Sequence, residues 1–320
     1  MARDGSIEAE KVFVLRPLTE ADFQEYSDLL FGSFNAWWWK HGLGCDFYDC
    51  RPQDTAIFYD VYNDLTPGCS VAAFHKETDR MMGACFYHPR ETHVSLGIMA
   101  VHPNYVRYGV AKALVTSILD YTKEHGFKAC RLVNSAMNLD SFSLYNRAGF
   151  VPRAMFQDMV VTVPQTGIDG RVPEAEHVRD AGLTDVGPMG DLELEVSGIK
   201  REIDYRYAVS GRREAMRASV HENQDGGVDG FLFSLRHPAI NVLGPCVART
   251  EEVAVALLRH ELERFKGIAV LMVVPMQRRK IVEQVYAWGG INVETHVKQV
   301  WGTFREYNGI AMPSYLPETD

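Results

Sequence analysis

The segment Val101-His102-Pro103-Asn104-Tyr105-Val106-Arg107-Tyr108-Gly109-Val110-Ala111-Lys112-Ala113-Leu114 changes character twice. It leaves the apolar run Val94 to Val101, which reads as a strand stopped by His102-Pro103. It then enters a helix expected from about Tyr108 to Glu124, with Val110, Ala113, Leu114, Ile118 and Tyr121 on one side. Strand, loop and helix in that order define an α/β unit. Small residues at the helix start, Gly109 and Ala111, leave the first backbone N–H groups and the positive end of the helix dipole open to an anion such as a pyrophosphate.

Toward the N-terminus, Val12 to Leu15 reads as a strand, and Thr19-Glu20-Ala21-Asp22 opens a helix carrying Phe23, Tyr26, Leu29 and Leu30 at helical spacing. Strands Cys69 to His75 and Met81 to His88 flank the polar turn Lys76 to Arg80. Toward the C-terminus, His125-Gly126-Phe127 ends the helix. Strand Ala129 to Val133, a short helix around Ser141 to Arg147 and strand Met155 to Val163 follow. Hairpins among α/β units imply a mixed sheet flanked by helices.

Pro164 to Pro173 reads as a linker, and beyond it the plan returns. Val178 to Asp185 echoes Leu15 to Asp22. Leu243 to Ala248, followed by the helical Glu251 to Phe265, echoes Leu96 to Val101 and its helix. Tyr286-Ala287-Trp288-Gly289-Gly290 echoes Tyr145-Asn146-Arg147-Ala148-Gly149. The chain therefore reads as a duplication: a first domain over 1–163, a linker over 164–173 and a second, weaker copy over 174–320.

Composition bounds the partners. The net charge of −9 over 320 residues offers no footprint for nucleic acid or anionic lipid. The longest apolar stretch, Ile268 to Met276, is far short of a membrane span, and the N-terminus lacks the apolar core of a signal peptide, so a cytoplasmic protein is expected. Cys45, Cys50, Cys69, Cys85, Cys130 and Cys246 form no CxxC pair, which argues against a disulfide framework or a zinc site.

The opening segment resembles the acyl-CoA signature of the GNAT acyltransferase superfamily, Gln/Arg-x-x-Gly-x-Gly/Ala between a strand and a helix. Val106 stands where the signature has Gln or Arg, with Arg107 next door as a substitute. Asn138-Leu139-Asp140-Ser141-Phe142-Ser143-Leu144-Tyr145-Asn146-Arg147-Ala148-Gly149-Phe150 resembles the family's later motif, in which an asparagine bonds the pantetheine arm and a tyrosine faces the thioester sulfur. The resemblance implies an α/β fold of two GNAT-like domains in tandem, each a mixed, mostly antiparallel sheet. It also implies acetyl-CoA or another acyl-CoA as co-substrate, with no metal. Its contacts would come from Met99, Ala100 and Val101 along the strand, from Val106, Arg107, Tyr108, Gly109, Val110, Ala111 and Lys112 at the loop, and from Asn138 and Ser141. Tyr145, a phenol with an ordinary pKa of about 10, would protonate the departing thiolate.

An alkylamine acceptor must lose a proton before attack, yet Val94 to Met99 contains no carboxylate. Glu91, His93 or a water chain could serve, His93 reading equally as a surface histidine, and the base stays unassigned. The acceptor is expected against Trp37, Trp38, Trp39, Asp46 and Tyr62, with Asp49, Tyr59, Asp60 and Asp64 nearby, a combination suited to a cationic amine. Alternatively, these rings seal the junction with the second domain.

In the second copy, Val247-Ala248-Arg249-Thr250-Glu251-Glu252-Val253-Ala254 has no glycine and sets two carboxylates where an anion would bind, with Tyr286 kept as a packing residue or by accident. The expected function is acyl transfer to a small, cationic amine by direct attack in a ternary complex, with oligomer formation open. The alternatives are an amino-sugar or thiol-precursor acyltransferase similar to mycothiol synthase, and a non-catalytic acyl-CoA sensor or partner-binding protein. Fem-type use of aminoacyl-tRNA is disfavoured by the charge.

Overall fold

The computed structural model describes residues 12–316. The first copy runs β1 (Phe13–Arg16), α1 (Phe23–Lys40), α2 (Ala56–Leu65), β2 (Ser70–His75), β3 (Met81–Pro89), β4 (Val94–Val101), α3 (Val110–Glu124), β5 (Ala129–Ser135), α4 (Leu139–Arg147) and β6 (Val151–Thr162). The second repeats that order as β7 (Val178–Asp180), α5 (Val186–Ser197), α6 (Glu202–Val209), β8 (Met216–Glu222), β9 (Val228–His237), β10 (Ile240–Ala248), α7 (Glu251–Leu262), β11 (Ala269–Pro275), α8 (Arg279–Ala287) and β12 (Ile291–Gly302), then adds β13 (Ile310–Met312).

The duplication is visible at the level of single bonds. Arg16 grips Asp22 at 2.7 and 2.8 Å while Asp22 accepts from the Thr19 N–H at 2.8 Å. Arg179 grips Asp185 at 2.8 and 2.9 Å while Asp185 accepts from the Gly182 N–H at 2.8 Å. Each pair fixes the turn between the first strand and first helix of its copy, satisfying an N–H at the helix entry.

The strands form one sheet in the order β1-β2-β3-β4-β5-β12-β6-β11-β10-β9-β8-β7, with β13 added on β10. Among the described residues only β4/β5 and β10/β11 run parallel. β12 of the second copy lies between β5 and β6, and β6 of the first lies between β12 and β11. Each copy thus lends its last long strand to the other. On the face carrying α1 and α2, one apolar cluster unites Tyr26, Leu30, Tyr62, Phe86, Ile98 and Ala100 with Tyr207, Met216, Leu235, Val242 and Leu316. The opposite face is covered by α3 and α4 in the first copy and by α7 and α8 in the second.

A bulge in β4 prepares the site. Tyr87 pairs with Leu96 but Cys85 pairs with Met99, so β4 carries one extra residue near Gly97. A Cβ at Gly97 would stand 2.9 Å from His88 Nε2 and 3.1 Å from the Phe86 carbonyl oxygen, which excludes any side chain. The bulge turns Leu96 to the α3 side and Ile98 to the α1 side. The second copy has a matching irregularity between Leu243 and Cys246. Among the described residues no helix is long and apolar enough to cross a membrane.

Candidate functional site

β4 and β5 pair only at Val94/Cys130 and Ser95/Arg131, then part, while β4 runs on to Val101 and β5 to Ser135. A groove opens between them. Strands central to a sheet are normally covered, yet Met99, Val101, Val133, Asn134 and Ser135 are only half-buried. Ala100 points away from the groove into the α1 core. The groove leads to the start of α3, two residues later than the sequence predicts because Gly109 takes a left-handed φ of +79° and ends the loop. No side chain caps α3 there, and a Cβ on Gly109 would meet nothing within 4 Å. The first-turn N–H groups are therefore offered outward, as an anion requires. Val106, Arg107, Tyr108 and Lys112 are exposed around this corner, Ala111 is half-buried, and Val110 is buried beneath it. Arg107 itself is held at φ +74°. These features fit an acyl-CoA, its pantetheine arm beside β4 and its pyrophosphate at α3.

The same features are cancelled in the second copy. β10 and β11 also part after a short parallel pairing, but β13 occupies the gap, pairing Ile310, Ala311 and Met312 with Ala248, Val247 and Cys246. All three β13 residues are buried. The N-cap of α7 is Thr250, whose hydroxyl accepts from the Val253 N–H at 3.3 Å. Glu251 accepts from the Lys280 N–H at 2.8 Å at the start of α8, and Glu252 pairs with the Lys280 ammonium. Chain segment and carboxylates fill what the first copy leaves open.

Tyr145 lies on α4, 5% exposed, edge-on to Phe150 at 5.7 Å in the cluster that contains Leu96 and Leu132. Asn138 caps α4, accepting from the Ser141 N–H at 3.1 Å. The repeat corrects one expectation. The Phe150 N–H bonds the Tyr145 carbonyl, and the Gly290 N–H bonds the Val285 carbonyl, so Val285 and not Tyr286 stands in the place of Tyr145. Val285 is fully buried, whereas Tyr286 is 47% exposed and its hydroxyl accepts from Asn292 at 2.8 Å. The second copy has no phenol at this position.

The acceptor-side residues do not form one site. Trp37, Trp38 and Trp39 end α1 and fold onto the 41–48 loop: Trp37 stacks on His41 at 4.0 Å, Trp38 meets Phe47 at 5.1 Å, and the exposed Trp39 donates to Asp46 at 2.5 Å. Tyr62 is in the core instead, 4.6 Å from His88, its hydroxyl donating to the Tyr315 carbonyl at 3.2 Å. Asp60 and Asp64 are engaged by Arg213, and Asp64 also by Arg212 and the Tyr207 hydroxyl, all from the second copy. Glu91 accepts from the Glu202 N–H at 3.0 Å. His93 is not a surface residue: it is 1% exposed, between Thr92 Oγ1 at 3.0 Å and Ser95 Oγ at 3.1 Å.

Residues 34–150 match the acetyltransferase (GNAT) family model and residues 196–305 match an acetyltransferase (GNAT) domain model. The chain belongs to the GNAT family. Its two GNAT domains stand in tandem. A putative acetyltransferase from Pyrococcus horikoshii superposes with a TM-score of 0.75 at 16% identity, covering 100% of both chains. A GCN5-related N-acetyltransferase from Sphaerobacter thermophilus gives 0.60 at 15% identity, over 93% of this chain and 98% of that one. A tandem GNAT protein from the clavulanic acid biosynthesis pathway gives 0.58 at 14%, over 91% and 98%. No curated protein matches the sequence.

In this tandem GNAT protein the exchanged strands bring together residues that no local motif connects. His296 of β12 pairs with Ser135, the last residue of β5 and the open end of the groove. Its Nδ1 lies 2.9 Å from an Asp158 oxygen of β6, and the Tyr315 hydroxyl donates to the other oxygen while lying 3.2 Å from His296 Nε2. Burial works to lower the His296 pKa, but the Asp158 charge and hydrogen bond, with Glu294, outweigh it and raise the pKa above its ordinary value. Asp158, Glu294 and His296 place three donor atoms within 4.8 Å of one another, but both Asp158 oxygens are already engaged, by His296 and Tyr315. The arrangement suits proton transfer. Only the pairing of β12 with β5 and β6 assembles it, and neither strand's sequence announces the other.

Proposed function

We propose that this protein is an acyl-CoA-dependent N-acyltransferase, with acetyl as the default group, and that its first domain alone binds the acyl-CoA. One observation supports this above the others: the groove between β4 and β5 is open beneath an uncapped helix start, whereas β13 fills its counterpart. The cofactor supplies an activated thioester. Backbone N–H groups of Met99 to Val101 orient the acyl carbonyl and stabilise the oxyanion, the 106–112 corner holds the pyrophosphate, and Tyr145 protonates the leaving thiolate. The acceptor is a small amine that arrives as an ammonium ion, drawn past Trp37, Trp38, Trp39 and Asp46. His296, held by Asp158, takes its proton and fills the role that β4 leaves empty.

Residues 1–163 thus form the catalytic unit and residues 174–320 supply the base and the wall behind the acceptor. The test is release of coenzyme A from acetyl-CoA on addition of polyamines, amino acids, aminoglycosides or amino sugars. Acceptor-dependent release with an N-acetylated product supports the reading. Binding of acetyl-CoA without transfer to any of them would favour a non-catalytic acyl-CoA sensor.

A further inference from the structure

Further along the sheet face that carries His296, four cationic side chains converge on His93. Arg131 of β5 is the strand partner of Ser95, and Lys298 lies two residues beyond His296 on the same face of β12. Arg90 and Arg201 complete the set. Burial first, then the charges of Arg131, Arg201, Arg90 and Lys298, hold the His93 imidazole well below its ordinary pKa and therefore neutral. Two carboxylates answer these cations. Asp204 takes Arg90 in a fully buried fork at 2.6 and 2.9 Å, and Glu193 takes Arg201 at 2.6 and 2.9 Å. Lys298 donates to the Tyr307 hydroxyl.

Arg131 is treated differently. It is 3% exposed, its Nε and Nη1 are buried without a hydrogen-bond partner, and it enters no ion pair among the described residues. Its guanidinium faces the ring of Phe304 at 5.8 Å. A buried guanidinium with open donors is costly unless an anion meets it, and the planar fork of arginine matches a carboxylate in two parallel hydrogen bonds.

Resting on the acyl-transfer reading above, we propose that Arg131, with Lys298 beside it, binds a carboxylate carried by the acceptor, which is then an amino acid or similarly small amino carboxylate. The spacing agrees. His296 and Lys298 are residues i and i+2 of β12, about 7 Å apart, and Arg131 pairs with Val300 two residues further on; a carboxylate reached by the long Lys298 and Arg131 side chains and an amine at His296 belong to one small molecule. A polyamine would meet like charge at the same place. Residues 303–309, which carry Phe304 and Tyr307 beside Arg131 and Lys298, lie outside regular secondary structure.

The experiment is a thermal melt of the full chain with coenzyme A and, in turn, each of a panel of α- and ω-amino carboxylates and the matching carboxamides. It is repeated on Arg131→Gln and Arg131→Lys, with kcat/KM for every compound that is acetylated. The wild type should be stabilised by one or a few carboxylates and not by their amides, with kcat/KM favouring the carboxylate by about 10-fold or more. That preference should collapse toward one in Arg131→Gln and survive in part in Arg131→Lys. If Arg131→Gln gives no cooperative melt, the wild-type comparison and Arg131→Lys decide. Equal response to acid and amide, no stabilisation by any carboxylate, or an unchanged preference in Arg131→Gln would overturn the subsite. Stabilisation without any acetyl transfer would instead remove the acyl-transfer reading and leave the subsite standing.

Discussion

Two side chains carry the proton traffic in this account, and each can be removed without disturbing the backbone. Tyr145→Phe keeps the ring that packs on Phe150 and deletes only the hydroxyl. Turnover should fall by roughly 10²–10⁴-fold with little change in acetyl-CoA affinity, as general-acid loss predicts. Unchanged turnover, with chemistry rate-limiting, would assign Tyr145 to packing. His296 must be neutral to accept a proton, and the carboxylate of Asp158 raises its pKa. Activity should therefore rise with pH through a midpoint above the ordinary histidine value of about 6.5. In Asp158→Asn the charge is gone while burial remains, so that midpoint should move down. A pH–rate profile of kcat/KM, identical in wild type and Asp158→Asn, would exclude His296 as the base. The Tyr145 motif was readable in the sequence because its residues are contiguous. His296 was not, because a lone histidine on a second-copy strand carries no local signal until β12 is seen between β5 and β6.

At the scale of elements, the decisive difference between the two copies is what occupies the end of one helix and the gap between two strands. The α3 corner was legible from Pro103, Gly109 and Ala111, since small residues at a helix start have a direct backbone consequence. Glu251 and Glu252 were legible as a change in the charge at the matching helix start, where both now engage Lys280. The β13 plug was not, because Ile310-Ala311-Met312 is too short to stand out as a strand and gains its place only by pairing with β10. The one-residue shift between Tyr145 and Val285 was also hidden, since a neighbouring tyrosine mimicked the match. Gly109→Glu should abolish acetyl-CoA binding, because a carboxylate would face the pyrophosphate. Gly109→Gln imposes the same left-handed strain without the charge and should bind more tightly than Gly109→Glu by about 10-fold or more. Equal affinities by calorimetry would mean that strain, and not anion binding, explains the glycine.

For the whole molecule, the exchange of β6 and β12 makes one folding unit from two copies of a domain. The sequence linker at 164–173 marks where the duplication joins, but the sheet runs across it. Residues 1–163 alone would leave β5 without β12 and expose an unpaired edge beside an apolar core, so they should not fold independently. Their co-expression with residues 174–320 should restore a cooperative melt, and a cooperative melt of the first half alone would count against the exchange. The buried Arg90–Asp204 pair ties α6 to the residue that follows β3 across the copies, and Asp204→Asn should cost about 3–5 kcal/mol by leaving a charge unanswered. Equilibrium denaturation would read this. One chain with one open groove and one filled groove is the claim on which the rest depends. Calorimetric titration of the intact chain with acetyl-CoA should give one site per chain, whereas two sites, or none, would contradict it.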